Sequence, residues 1–129
     1  MRLKDVRPVD MWFLHKLNVH PSIRAMCHNQ ASFTYERHCE WWKTKLIEKG
    51  FDAMVITHRS KPVGCIRRDR GFVSISVMPE YQNQGIGTKA LKAFCMKDDR
   101  AEILLDNKKS IHIFKKVGFK DGFLTLLRG

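Results

Sequence analysis

Two tight turns set close together constrain this chain more than any other feature. Arg59-Ser60-Lys61-Pro62 and Asp69-Arg70-Gly71 separate three apolar, β-branched runs at residues 52–57, 63–68 and 72–78. A parallel crossover needs about a dozen residues or more, and neither turn has them, so the runs fold as an antiparallel meander. The third run alternates most clearly. Val73, Ile75 and Val77 point one way, and Phe72, Ser74 and Ser76 the other. Next comes the loop Pro79-Glu80-Tyr81-Gln82-Asn83-Gln84-Gly85-Ile86-Gly87, which feeds a helix. There Ile86, Ala90, Leu91 and Phe94 share a face while Lys89, Lys92 and Lys97 face out.

The flanks are less regular. Residues 2–9 read as a weak strand, and Asp10 as the N-cap of a helix carrying Met11, Trp12, Phe13, Leu14 and Leu17. Pro21 ends that helix, and residues 21–33 read as a short helix plus loop. Thr34 caps a further helix to about Lys49, with Tyr35, Cys39, Trp42 and Leu46 as its apolar stripe and Gly50 as its stop. Beyond the loop helix lie a strand at 102–105, a helix at 107–117 closed by Gly118, and a last strand at 123–127. The pattern predicts an α+β fold, with a mixed, mostly antiparallel central sheet flanked by about four helices. Residues 1–129 are expected to form one domain, since no linker or repeat divides them.

Charge narrows the partners. Lys and Arg number 24 against 13 Asp and Glu, a net +11, so the chain favours anionic partners: nucleic acid, an anionic surface or a phosphorylated small molecule. Cys27, Cys39, Cys65 and Cys95 form no C-x-x-C pair and are expected as free thiols in a reducing cytoplasm. The first ten residues are charged and lack the apolar core of a signal peptide. No apolar run approaches the roughly twenty residues of a membrane span, so no membrane partner is expected. His28 beside Cys27 lacks spaced partners, so no metal site is expected either.

A strand, a glycine-containing loop and a helix start make a natural anion site. The first helical turn has unpaired N–H groups and the positive end of the dipole, and glycines admit a ligand close to the backbone. A pyrophosphate suits such a place. The loop is not a nucleotide P-loop, since no Gly-Lys-Ser/Thr follows. Nor is it a Rossmann fingerprint, because a third glycine is missing and a meander precedes it. Gln82-Asn83-Gln84-Gly85-Ile86-Gly87 does, however, resemble the Q/R-x-x-G-x-G/A motif of the GNAT N-acetyltransferase superfamily. Downstream, Asn107, Ser110, Phe114 and Gly118-Phe119 match that family's N-x-x-S/A-x-x-x-Y/F-x-x-x-G-F pattern.

The resemblance implies acetyl-CoA as acyl donor, held in a splayed cleft between strands 4 and 5. It assigns the pyrophosphate to the loop Gln82, Asn83, Gln84, Gly85, Ile86, Gly87 and Thr88, with the main-chain amides of residues 84–88 as donors. It assigns the pantetheine arm to the main chain of Val77 and to Asn107, with Ser110 and Phe114 bordering the cofactor. A second resemblance lies upstream. Thr34-Tyr35-Glu36-Arg37-His38-Cys39-Glu40-Trp41-Trp42 is similar to a segment of the nucleotide-linked amino-sugar N-acetyltransferases of the pseudaminic-acid type. That implies an acceptor pocket lined by His38 and Trp41, with Arg24, Arg67 or Arg68 as contacts to a nucleotide-linked substrate.

The implied chemistry is direct attack of a neutral amine on the thioester in a ternary complex, with Val77 N–H as an oxyanion donor. Departures from the family matter here. Phe114 stands where many relatives carry a tyrosine that protonates the leaving thiolate, and Ser74 and Ser76 stand where a carboxylate base is common. His38, with an ordinary pKa near 6.5, is the expected base, and Ser76 is expected to hold a water. Cys65 and Cys95 are weighed as acyl carriers and set aside as buried thiols. Alternatives are acetylation of a protein or aminoacyl-tRNA amine, or a catalytically weak CoA-binding or nucleic-acid-binding module. The basic residues are spread over several elements, which places nucleic acid below a small-molecule amine. The chain is expected as a monomer or homodimer.

Overall fold

The computed structural model describes residues 1–27 and 33–122. Strand β1 (Arg2–Asp5) leads through a 3-10 turn (Pro8–Asp10) into helix α1 (Met11–Val19) and a single turn, α2 (Pro21–Arg24). Helix α3 (Tyr35–Leu46) precedes strands β2 (Phe51–His58), β3 (Lys61–Asp69) and β4 (Phe72–Val77). A second 3-10 turn (Pro79–Tyr81), α4 (Ile86–Phe94) and α5 (Lys108–Lys116) follow. The sheet order is β1-β2-β3-β4, antiparallel throughout. The expected final strand at 123–127 lies outside the described residues.

The meander forms as the turns dictate, with Cys65 opposite both Val55 and Ser76. A bulge between Ile56 and Thr57 makes Val63 the extra residue of β3 and turns it to the opposite side from Cys65. One sheet face, here the first, packs Ala53, Val55 and Cys65 against Met11, Leu14 and Leu17 of α1, Ile23 of α2 and Trp42 of α3. The second face packs Ile56, Ile66 and Val73 against Ile86, Ala90, Leu91 and Phe94 of α4 and Phe114 of α5.

Three expectations need correction. The segment expected as a fifth strand forms no ladder: just before it Arg100 makes one parallel bridge to Phe72, and Ile103 packs against the core of the second face without pairing. Asn107 then donates its N–H to the Leu104 carbonyl at 2.9 Å, curling the chain toward α5 before a ladder can form. On α3 the apolar stripe is rotated: Leu46 is exposed, and His38 takes a core position beside Trp42. Asp10 does not cap α1. Its carboxylate turns back to accept the Arg7 N–H at 2.8 Å and pairs with Lys4 at 2.7 Å. The Thr34 cap forms as read, accepting from Arg37 N–H at 3.2 Å, and Asn107, read as the first helical residue, instead caps α5 by accepting from Ser110 N–H at 3.2 Å.

Candidate active site

The outer edge of β4 is the first element of the site. In an antiparallel strand the N–H and C=O of one residue point the same way, and successive residues alternate. Met78 N–H donates inward to Val63 on β3 at 2.8 Å, whereas Val73 N–H donates outward to Arg100 at 2.7 Å. Val73, Ile75 and Val77 therefore present their main chain to the outside. Beyond Arg100 the chain departs, so among the described residues no strand pairs with Ile75 or Val77 on that edge. The Val77 carbonyl is already occupied: Gln82 Nε2 donates to it at 2.9 Å. That leaves the Val77 N–H as the donor facing the opening.

The loop next to this edge ends in an uncapped helix. Asn83 has φ 63 and Gly85 φ 78, both left-handed. Gly85 occupies the N-cap of α4 with no side chain to bond the first amides, and the first helical bond is Lys89 N–H to Gly85 O at 3.1 Å. The N–H groups of Ile86, Gly87 and Thr88 are thus left for a ligand. The two glycines differ in purpose. Around Gly85 there is open space, whereas a Cβ on Gly87 would meet Ile113 Cδ1 at 3.2 Å and Ile75 Cδ1 at 3.9 Å. Gly87 therefore also lets the first turn of α4 nest between β4 and α5, a packing need not read from the motif. Asn107 spends its Oδ1 on the α5 cap. Phe114 is only 3% exposed and packs edge-on against Phe119 at 4.9 Å, so its ring is a core wall.

The side chains expected to meet the acceptor lie on the first face of the sheet. His38 is 4% exposed and lies flat against Phe33, with ring centroids 5.3 Å apart and 5° between planes. Its Nε2 is buried and has no hydrogen-bond partner among the described residues. Burial, then the charges of His15 and Arg67, lower its pKa to about 4. The expectation of a group titrating near neutrality is therefore corrected: the imidazole is neutral at physiological pH. His15 and Phe33 were not anticipated. His15 Nε2 donates to the Phe33 carbonyl at 3.0 Å, and its ring sits 5.3 Å from that of His38. The position of His15, four residues after the core Met11, was the available signal.

Trp41 is 38% exposed and stands edge-on to Trp42 and Phe51. The Arg67 guanidinium lies 5.0 Å from its ring centroid, and Arg67 Nε donates to Ser74 Oγ at 3.1 Å. Arg24 packs over Phe33 at 5.2 Å. His38 also stands edge-on to Trp42 at 6.2 Å, so Arg24, Phe33 and His38 connect through Trp42 to Trp41, Arg67 and Ser74. Ser76 lies two residues from Ser74 on the same face and next to Val77. Arg68, one residue on, points to the other face and forms a two-point pair with Asp99, both bonds 2.7 Å. The expectation of Arg68 as a substrate contact is therefore corrected, since Asp99 holds its guanidinium. Burial pushes the Cys65 thiol up to about 12 and the Cys95 thiol up to about 11, so neither is an acyl-accepting nucleophile at neutral pH. No group of metal-ligating side chains exists among the described residues, and no described helix is long and apolar enough to cross a membrane.

Comparison with known proteins agrees with this arrangement. Solved structures with similar folds include a spermidine N-acetyltransferase from Vibrio cholerae in complex with CoA and spermine. It superposes with a TM-score of 0.82 at 16% identity, over 95% of this chain and 83% of that one. An acetyltransferase from Thermus thermophilus gives a TM-score of 0.73 at 22% identity, over 92% of this chain and 86% of that one. A Salmonella typhimurium protein solved with its cofactor acetyl-CoA gives 0.75 at 19% identity, over 92% and 79%. No curated protein sequence matches the chain. The family model described as an acetyltransferase (GNAT) domain matches residues 49–121, the stretch holding β2–β4, the loop, α4 and α5. That match covers more than half of the sequence, and the chain belongs to the GNAT acetyltransferase family, acyltransferases whose donor is acetyl-CoA.

Proposed function

We propose that this protein transfers an acetyl group from acetyl-CoA to the primary amine of a small acceptor, by direct attack in a ternary complex. The observation that carries this reading is the open β4 edge at Val77 lying beside the uncapped N-terminus of α4. The residues suit the donor. An extended pantetheine arm can add to the edge as a strand would, and the amides of Ile86, Gly87 and Thr88 suit a pyrophosphate. When bound, acetyl-CoA supplies the thioester carbonyl that the amine attacks.

Val77 N–H is the donor for charge developing on the carbonyl oxygen. Ser76 holds the water that removes the amine proton. His38, neutral with a pKa of about 4, is a weak acceptor for that proton and shapes the pocket wall. Phe114 supplies no proton, so the thiolate leaves unassisted or takes a proton from water. The finer reading for the acceptor is a nucleotide-linked amino sugar, supported by Arg24 and Arg67 and by the aromatic shelf of Trp41. The Vibrio neighbour was solved with spermine, but a polycation meets cations, not carboxylates, at Arg24 and Arg67. Protein or aminoacyl-tRNA amines form the second reading, favoured by the net charge of +11.

Two measurements test the proposal. Calorimetry should show acetyl-CoA binding by the wild type and a loss of at least tenfold in Gly87→Glu, which crowds Ile113 and displaces the first turn of α4, with a thermal melt showing that the variant remains folded. Thiol release should then appear with amino sugars linked to uridine or thymidine diphosphate. Absence of acetyl-CoA binding refutes the enzyme reading, and thiol release with peptide or tRNA alone refutes the acceptor.

A further inference from the structure

We propose that Arg67 is the anion receptor of the acceptor pocket and selects amines whose molecule also carries a carboxylate or phosphate. The inference rests on the acetyltransferase reading above and sharpens its acceptor class. Arg67 sits mid-strand on β3, between Ala53 of β2 and Ser74 of β4. Ser74 Oγ fixes its Nε, and the Trp41 indole supports its plane. A guanidinium has five N–H donors, and this arrangement uses one, leaving both terminal nitrogens in a fork that fits a carboxylate or phosphate.

Carboxylates on both faces of the sheet are held by other cations. Lys45 holds Asp69 at 2.9 Å and Glu48 at 3.3 Å. Arg68 holds Asp99 at 2.7 Å and Asp52 at 3.4 Å. Lys4 holds Asp10 at 2.7 Å. Among the described residues Arg67 forms no ion pair, although it is half-buried and its rigid seat is built by two other side chains. A half-buried guanidinium with donors to spare and no counter-charge among the described residues attracts an incoming anion. Position gives the second half of the argument. Ser74, which anchors Arg67, is three residues from Val77, about 10 Å along an extended strand. An acceptor that reaches both points carries its amine and its acid about that far apart, as a small phosphorylated or carboxylated metabolite does. Spermine carries no acid to place at Arg67.

The test pairs kinetics with a binding measurement that does not depend on turnover. With acetyl-CoA saturating, thiol release is followed for amines offered with and without an acidic group. The pairs are an amino sugar against its phosphate and nucleoside-diphosphate forms, a long-chain amino alcohol against the ω-amino acid of the same length, and spermidine. The wild type should favour the acidic member at least tenfold in kcat/KM, chiefly through KM. Arg67→Ala should collapse that preference, Arg67→Lys should restore part of it, and acetyl-CoA affinity should hold throughout. Separately, inorganic phosphate and glutarate are titrated into the CoA-saturated protein while the Trp41 indole N–H is followed by NMR, assigned with Trp41→Phe. A saturating shift with either anion, absent in Arg67→Ala, supports the receptor and tells phosphate from carboxylate. No saturating shift, a shift retained in Arg67→Ala, or equal use of spermidine and acidic amines overturns it. Failure of acetyl-CoA to bind sinks the enzyme reading instead, and the NMR result still decides the anion site.

Discussion

Arg67 and Arg68 are neighbours in sequence and opposites in use. Strand alternation sends Arg68 to the second face, where Asp99 grips it at two points, Asp52 and the Phe94 carbonyl add bonds, and its guanidinium covers the Phe94 ring at 4.5 Å. Arg67 goes to the first face and meets a hydroxyl and an indole. The first arrangement is complete without a ligand, and it ties β3 to the chain beyond α4. The second has donors to spare. The same side chain serves as a rivet or a receptor according to whether the fold supplies its counter-charge.

The contrast can be broken most directly at Asp99. Asp99→Ala strands a buried guanidinium and should destabilise the fold by about 3 kcal/mol, the low end for a broken buried pair because Asp52 and the Phe94 carbonyl remain. Urea denaturation measures it, and a loss below about 1 kcal/mol would mean that Arg68 is no rivet.

Acid should separate the two faces by pH window. The His38 pKa is lowered, so stability is fully present above about pH 6.5 and falls as pH drops toward 4. The slope approaches about 1.4 kcal/mol per pH unit, the value for one proton. Asp99 is also lowered, chiefly by its bond from Arg68. Its contribution persists above about pH 4 and is lost only as pH falls below that through its own pKa. His38→Phe should flatten the first window and leave the second. Thermal melts between pH 7 and 3 read both, and an unchanged profile in His38→Phe would show that the ring is not the titrating group.

The smallest effect belongs to Arg67. Arg67→Ala should change stability by less than about 1 kcal/mol, since it removes one hydroxyl bond and one indole contact. A loss as large as that of Asp99→Ala would make Arg67 a second rivet.

What the sequence disclosed followed from local rules. The meander was legible because two short turns forbid any other connection, and α4 because its apolar face repeats at helical spacing. The anion-binding start of α4 was legible from the glycine loop. What escaped was set by distant residues. His38 reads as polar, yet Phe33 and His15 enclose it from outside its own helix. Nothing near Arg68 announces Asp99, thirty-one residues away. The apolar run at 103–105 suggested a strand, but the turn at Asn107 takes the chain off the sheet and leaves Leu105 86% exposed. Gly87 was read for its ligand, while its neighbour Ile113 comes from a helix later in the chain.

An unpaired strand edge also bears on how the protein behaves in a crowded solution. Bare main-chain groups are a template for another strand, and long open edges invite aggregation. Here Arg100 occupies the Val73 N–H and Gln82 occupies the Val77 carbonyl. The exposed run is thereby trimmed to the stretch from the Val73 carbonyl to the Val77 amide. Such a run is long enough to hold a single extended arm and too short for a second copy to zip along. Gln82 thus shortens the edge that stays open among the described residues and leaves fewer main-chain groups for another strand to pair with.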